Sequence, residues 1–156
     1  MSRPLTIGVI ADTHGLLREE AIAALRGCDR LIHAGDIGKP EILTTLAALA
    51  PLDVIRGNND ETLPWAADLP DVLDLELEGV RIYLLHDRKQ LAFDPAARDV
   101  QVVIAGHSHK PLIETRNAVL YLNPGSAGPR RFSLPISVAY LRLDDGRAEA
   151  ELVTLG

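Results

Sequence analysis

The sequence predicts an α/β sandwich: two packed β-sheets with helices outside. Two observations carry this reading. The first half alternates apolar runs with helix-forming stretches in the order βαβαβ, and the second half reads as mainly antiparallel strands. Residues 5–10 (LTIGVI) form a short, partly β-branched apolar run ending near Asp12, which fits a strand buried on both faces. Residues 17–26 carry Leu17, Ile22 and Leu25 among helix formers, and Gly27 closes them. Residues 31–34 (LIHA) form a second strand, stopped by Gly35-Asp36. A helix over 40–50 opens with Pro40 and Glu41, residues favoured in a first turn. Residues 52–56 form a third strand, stopped by Gly57.

Residues 72–78 (VLDLELE) alternate apolar and acidic side chains, the period of a half-exposed strand. Gly79 turns this segment into a further run over 80–85. A helical stretch at 89–98 is interrupted by Asp94-Pro95, and residues 100–105 form another buried strand. Segments 112–122, 136–143 and 147–155 read as three more strands, the last two joined by Asp144-Asp145-Gly146.

The chain has 156 residues, 47% of them hydrophobic, so a single domain over 1–156 with an adequate core is expected. Its one cysteine, Cys28, excludes an internal disulfide framework and a cysteine-built zinc site. No run of about 18 apolar residues exists, so no membrane span is expected. The N-terminus enters a strand directly and does not read as a signal peptide, so a cytoplasmic protein is expected. The formal charge of −6 gives no bulk-charge case for binding nucleic acid or anionic lipid. A homo-oligomer is left open.

The informative residues follow the apolar runs. Asp12-Thr13-His14-Gly15 follows the first strand, Gly35-Asp36 the second and Gly57-Asn58-Asn59-Asp60 the third. His86-Asp87 follows the run 80–85, and Gly106-His107-Ser108-His109 follows the run 100–105. Loops at the carboxyl ends of strands line the ligand crevice of open α/β sheets. Carboxylate, imidazole and amide oxygen together suit manganese, iron, zinc or nickel, whereas calcium prefers oxygen alone. Each segment alone is a common turn or a chance pair. Together they offer about seven donors, which fits two metals sharing a carboxylate better than one. His33 lies inside a strand and is read as a core residue or a support behind the ligands.

These motifs, in this order, resemble the calcineurin-like metallophosphoesterases. Asn123-Pro124-Gly125-Ser126 and Pro129-Arg130 narrow the resemblance to the small YfcE-type phosphodiesterases, which are related to the eukaryotic retromer subunit Vps29. The resemblance implies a four-layer α/β sandwich of two mixed sheets flanked by helices. It implies one metal held by Asp12, His14, Asp36 and His109, and a second by Asp36, Asn58, His86 and His107, with Asp36 bridging. Manganese is the expected metal, with nickel, iron and zinc as alternatives. Where many relatives carry a histidine that helps the leaving group depart, this chain has Asn59, which has no proton to give near neutral pH. Asn59 and the adjacent Asp60 are therefore the candidate catalytic side chains. Relatives usually have glycine after the His86 position, where this chain has Asp87, expected to face solvent or stand behind the ligands.

The expected activity is metal-dependent hydrolysis of a small phosphodiester. A water bridging two cations is acidified to a pKa of about 7 and attacks phosphorus in line with the departing oxygen. Ser108 is not expected to act as nucleophile, since its histidine neighbours serve better as ligands. Arg130, with Arg131 beside it, is the candidate for holding substrate phosphate. The rival readings are a Vps29-like binding scaffold without catalysis, a phosphomonoesterase, and a structural metalloprotein with a closed site.

Overall fold

A computed structural model describes residues 4–155. It contains β1 (Leu5–Ile10), α1 (Glu19–Leu25), β2 (Arg30–His33), α2 (Pro40–Ala47), β3 (Leu52–Val54), β4 (Val72–Leu77), β5 (Val80–Leu85), β6 (Val102–Ile104), β7 (Leu112–Arg116), β8 (Val119–Asn123), β9 (Ser137–Asp144) and β10 (Arg147–Thr154). The strands form two five-stranded mixed sheets, ordered β10-β9-β1-β2-β3 and β4-β5-β6-β8-β7. In the first sheet β1, β2 and β3 are parallel, with β9 antiparallel to β1. In the second, β5, β6 and β8 are parallel, with β4 and β7 as antiparallel edges.

Side-chain alternation divides the core between these layers. Ile7 and Val9 of β1 point between the sheets, where they meet Ile82 and Leu84 of β5, Ile104 of β6 and Leu122 of β8. Ile10 points the other way, onto Leu25 of α1 and Leu46 of α2. Both faces of β1 are thus covered, which is why its sequence shows no polar alternation. Gly8 lets α1 lie close: a Cβ there would stand 2.5 Å from a Leu25 methyl. Each fully buried leucine or isoleucine contributes about 1.5–3 kcal/mol relative to exposure.

The fold is the expected layered sandwich, with local differences. On the outer face of the second sheet, Leu85, Val103, Ala105 and Val119 are packed by Leu91 and Phe93, which lie between two short 3₁₀ turns, Arg88–Gln90 and Pro95–Arg98. The helical stretch expected at 89–98 breaks there because Asp94 caps the second turn by accepting from Ala96 N–H, with Pro95 at its first position. Segment 112–122 is a hairpin, not one strand. Asn117 and Ala118, with φ of 49° and 65°, turn the chain so that Arg116 pairs with Val119. No helix of the described residues is long and apolar enough to cross a membrane.

Candidate metal centre

The carboxyl ends of β1, β2, β3, β5 and β6 open at one end of the sandwich, and their loops lock onto one another through backbone contacts. Asp12 N–H donates to Gly35 O at 3.0 Å, His14 N–H to Asp36 O at 2.9 Å, and Gly106 N–H to His86 O at 2.9 Å. The close approach of the second and third loops needs glycine. A Cβ on Gly57 would stand 2.2 Å from Asp36 Oδ1, and one on Gly35, whose φ is +102°, would stand 2.6 Å from His86 Nδ1. Ser126 Oγ donates to Asp12 O at 3.0 Å, and Asn123 Nδ2 donates to Gly106 O at 3.0 Å. The Asn-Pro-Gly-Ser segment therefore ties the first loop to the last.

The loops gather two groups of side chains that can hold metal ions: Asp12, His14 and His109, and Asp36, His86 and His107. Asp36 stands between them, its Oδ2 lying 3.5 Å from His14 Nε2 and 3.1 Å from His86 Nε2. His14 Nε2 and His109 Nε2 are 3.2 Å apart, and Asp12 Oδ1 is 3.7 Å from His109 Nε2. Asn58, exposed at the rim, puts its Oδ1 3.2 Å from His107 Nδ1. All seven donors expected from the sequence are brought to this end.

The donor chemistry fits a cation. Asp12 Oδ1 and His86 Nε2 are buried, lack a hydrogen-bond partner, and lie 3.8 Å apart. A buried polar atom left unpaired costs about 1–3 kcal/mol, and a shared cation removes that cost for both. His86 Nδ1–H donates to Ala34 O at 2.8 Å, which leaves the Nε2 lone pair facing inward, the tautomer a metal requires.

Local electrostatics prepare the same donors. Burial holds the Asp12 carboxyl up at about 7, with Asp36 adding to the rise while His86 and the His107 N–H oppose it. Burial lowers His14 and pushes His109 down to about 4, so both imidazoles are neutral and ready to coordinate. Burial raises the Asp36 carboxyl and the His86 imidazole, 3.1 Å away, lowers it, for a net fall; His86 is raised in return, against its own burial.

Asp12, His14, Asp36, His107 and His109 all have positive φ, between 46° and 69°. Non-glycine residues seldom adopt this region, and such backbones concentrate at functional sites.

His33 stands behind the centre, fully buried. Its Nδ1 accepts from Gly35 N–H at 3.1 Å, so its proton sits on Nε2 and is donated to Thr13 Oγ1 at 3.0 Å. Thr13 Oγ1–H in turn donates to Ile37 O at 2.8 Å. Burial pushes His33 down to about 3, and this chain satisfies its neutral form completely. The residue is a support for the loop, as its place inside a strand suggests.

Asn59 and Asp60 diverge. Asn59 is exposed, with Nδ2 3.4 Å from both His14 Nδ1 and Asp36 Oδ2. Asp60 is fully buried and accepts from Ile37 N–H at 3.0 Å, Gly38 N–H at 3.2 Å and Gly57 N–H at 2.9 Å. It points into the backbone between the loops, away from the Asn59 side chain.

Asp87 accepts from Lys89 N–H at 3.0 Å and stands 3.8 Å from His107 Nε2, behind the ligands rather than among them. Ser108 Oγ accepts from Lys110 N–H and from Asn123 Nδ2, with no base beside it. The guanidinium of Arg130 donates to Leu134 O at 3.5 Å within its own loop, whereas the charge of Arg131 is felt by Asp12, His14 and His109. Both side chains are exposed.

Residues 5–146 match the calcineurin-like phosphoesterase superfamily domain. The chain belongs to this superfamily. It is 34% identical to a probable metallophosphoesterase of Methanothermobacter thermautotrophicus, over 97% of this chain and 94% of that one. It is 27% identical to a phosphodiesterase of Methanocaldococcus jannaschii, over 78% of this chain and 83% of that one. Its fold matches vacuolar protein sorting 29 of Cryptosporidium parvum with a TM-score of 0.79 at 17% identity, covering 97% and 98% of the two chains. As a calcineurin-like phosphoesterase, it is a metal-binding hydrolase of phosphoester bonds by family.

Proposed function

We propose that this chain is a phosphodiesterase that works with two divalent cations, manganese being the expected pair. The observation that carries the reading is the meeting of two donor groups at the single carboxylate of Asp36, 3.5 Å from one group's imidazole and 3.1 Å from the other's. Asp12, His14, Asp36 and His109 would hold one cation, and Asp36, Asn58, His86 and His107 the other. When bound, such a pair supplies a water acidified to a pKa of about 7 and neutralises charge on the phosphoryl oxygens.

The chain's own residues do the rest. The Ala34 carbonyl fixes His86 in the coordinating tautomer. The Asn59 amide, within 3.4 Å of His14 and Asp36, can donate a hydrogen bond to a phosphoryl or leaving oxygen but cannot protonate it. Arg130, with Arg131 beside it, is assigned to the substrate phosphate; both are exposed. Asp60 positions the Gly57 loop against the Gly35 loop.

Diester rather than monoester specificity is supported by shape. Two clefts, of about 780 and 370 Å³, share His107 and Asp87 as their common wall. A diester has an arm for each side of the scissile phosphate, and a monoester has one. The similarity to a phosphodiesterase of M. jannaschii points the same way.

The test is hydrolysis of bis(p-nitrophenyl) phosphate and of p-nitrophenyl phosphate by protein stripped with a chelator and reloaded with manganese, nickel, iron or zinc. Two metals per chain and metal-dependent cleavage that favours the diester are expected. Preference for the monoester would overturn the specificity. Two bound metals without turnover of either ester would favour the scaffold reading.

A further inference from the structure

We infer that the larger cleft is a subsite for the non-scissile arm of the substrate, and that this arm carries a second phosphate. The inference rests on the phosphodiesterase reading and names its substrate class: a nucleotide-like diester with an additional terminal phosphate.

The cleft begins at one metal donor, His107, which forms part of its wall with Gly106 and Ser108. From there it runs over the outer face of the second sheet, beside β6, β8 and β7, with a volume of about 780 Å³. Its floor includes the half-buried Leu112 and Tyr121, an apolar and partly aromatic surface suited to a ring.

Its rim is cationic in an acidic protein. Arg88, Lys89, Lys110 and Arg116 all line it, although the chain carries a formal charge of −6. Two carboxylates face these four. Glu114 is shared by Arg88, at 3.6 Å, and by Arg116. Asp87 stands at the metal end, 3.8 Å from His107. Lys89 and Lys110 are exposed and have no acidic partner among the described residues. Arg88 is also held over the Tyr121 ring, its guanidinium carbon 4.2 Å from the centroid, so its position is set before any ligand arrives. The smaller cleft differs: its Arg56 is paired with Asp71, and Glu61 and Asp87 also line it.

A surplus of cations over an apolar floor, continuous with one metal donor, matches an arm with a flat ring and a separate anionic group. A neutral alkyl or aryl arm would fill the floor and leave two lysines unused. Phosphate accepts charge-assisted hydrogen bonds from such groups.

The experiment compares two chromogenic diesters at saturating manganese: the p-nitrophenyl ester of thymidine 5′-phosphate, and the same compound bearing a 3′-phosphate. The 3′-phosphorylated ester should show a KM about tenfold lower at similar kcat, the effect of one or two charge-assisted contacts at a partly exposed site. The double variant Lys89→Ala/Lys110→Ala should abolish that advantage and leave the KM of the unphosphorylated ester within about twofold. Arg26→Ala/Arg147→Ala makes the same change in net charge elsewhere and should alter neither.

Equal KM values in the wild type would overturn the inference. So would an equal rise for both esters in the lysine variant. If neither ester is cleaved, the phosphodiesterase reading fails separately. Calorimetric titration with thymidine 5′-phosphate and with thymidine 3′,5′-bisphosphate then decides the subsite: tighter, lysine-dependent binding of the bisphosphate sustains it, and equal binding refutes it.

Discussion

Replacing Asp60 tests the idea that the third loop is held in place by a buried carboxylate and not by its own turn. Asp60 accepts from three backbone N–H groups, those of Ile37, Gly38 and Gly57, at 2.9–3.2 Å. Gly38 lies nearest solvent and can recover a water, but Ile37 and Gly57 are buried and cannot. Two buried donors left unpaired cost about 1–3 kcal/mol each, so Asp60→Ala should destabilise the fold by about 4 kcal/mol. With a slope of about 2 kcal/mol per molar urea, the unfolding midpoint should fall by about 2 M. Asp60→Asn keeps one acceptor oxygen and turns an amide toward an N–H donor, so it should lie between the two. Because Gly57 packs on Asp36, manganese affinity should fall in the same order, read by calorimetry on folded protein. Urea midpoints within 0.3 M of each other (about 0.6 kcal/mol on the same slope) would refute this account of the loop.

Three further outcomes are expected. Asp36→Ala should lose both metals, whereas His109→Ala should deplete the Asp12–His14 group first; elemental analysis of the two variants checks the sharing. In the metal-free protein Asp12 is raised from 3.8 to about 7, so the native state binds the extra proton and its stability falls as pH rises through that window. Asp12→Asn should accordingly stabilise the metal-free protein at pH 8 by an increment that shrinks to nothing as pH falls toward 4, read by thermal unfolding in chelator. With Asn59 supplying no proton, kcat/KM for diesters should drop steeply as leaving-group pKa rises, and Asn59→Ala should cost only about 0.5–1.5 kcal/mol; a flat wild-type dependence, with chemistry rate-limiting, would mean another group protonates the leaving oxygen.

The strand ends were legible because burial on both faces leaves no room for polar residues, so each donor stands out where its apolar run stops. Asp12, Asp36 and His86 are visible in this way, and the structure gathers them. What happens within a loop was less legible. Asn59 and Asp60 are neighbours in sequence, yet one faces solvent and the other is sealed against backbone amides. The 112–122 segment hid its turn because Ala118 takes a positive φ that its side chain does not advertise. The 89–98 stretch fell short because the face it covers is small, and two single turns suffice.

The left-handed backbone at five candidate ligands sets a direction of drift. Each such position costs a non-glycine residue up to about 1–2 kcal/mol, somewhat less for aspartate and histidine, within a total stability of about 5–15 kcal/mol. Glycine relieves that strain at every one of them and abolishes a ligand at the same stroke. A lineage released from the need to hydrolyse would thus tend to lose its ligands one by one while the sandwich grew firmer. Metal binding and robustness thus pull this end of the molecule in opposite directions.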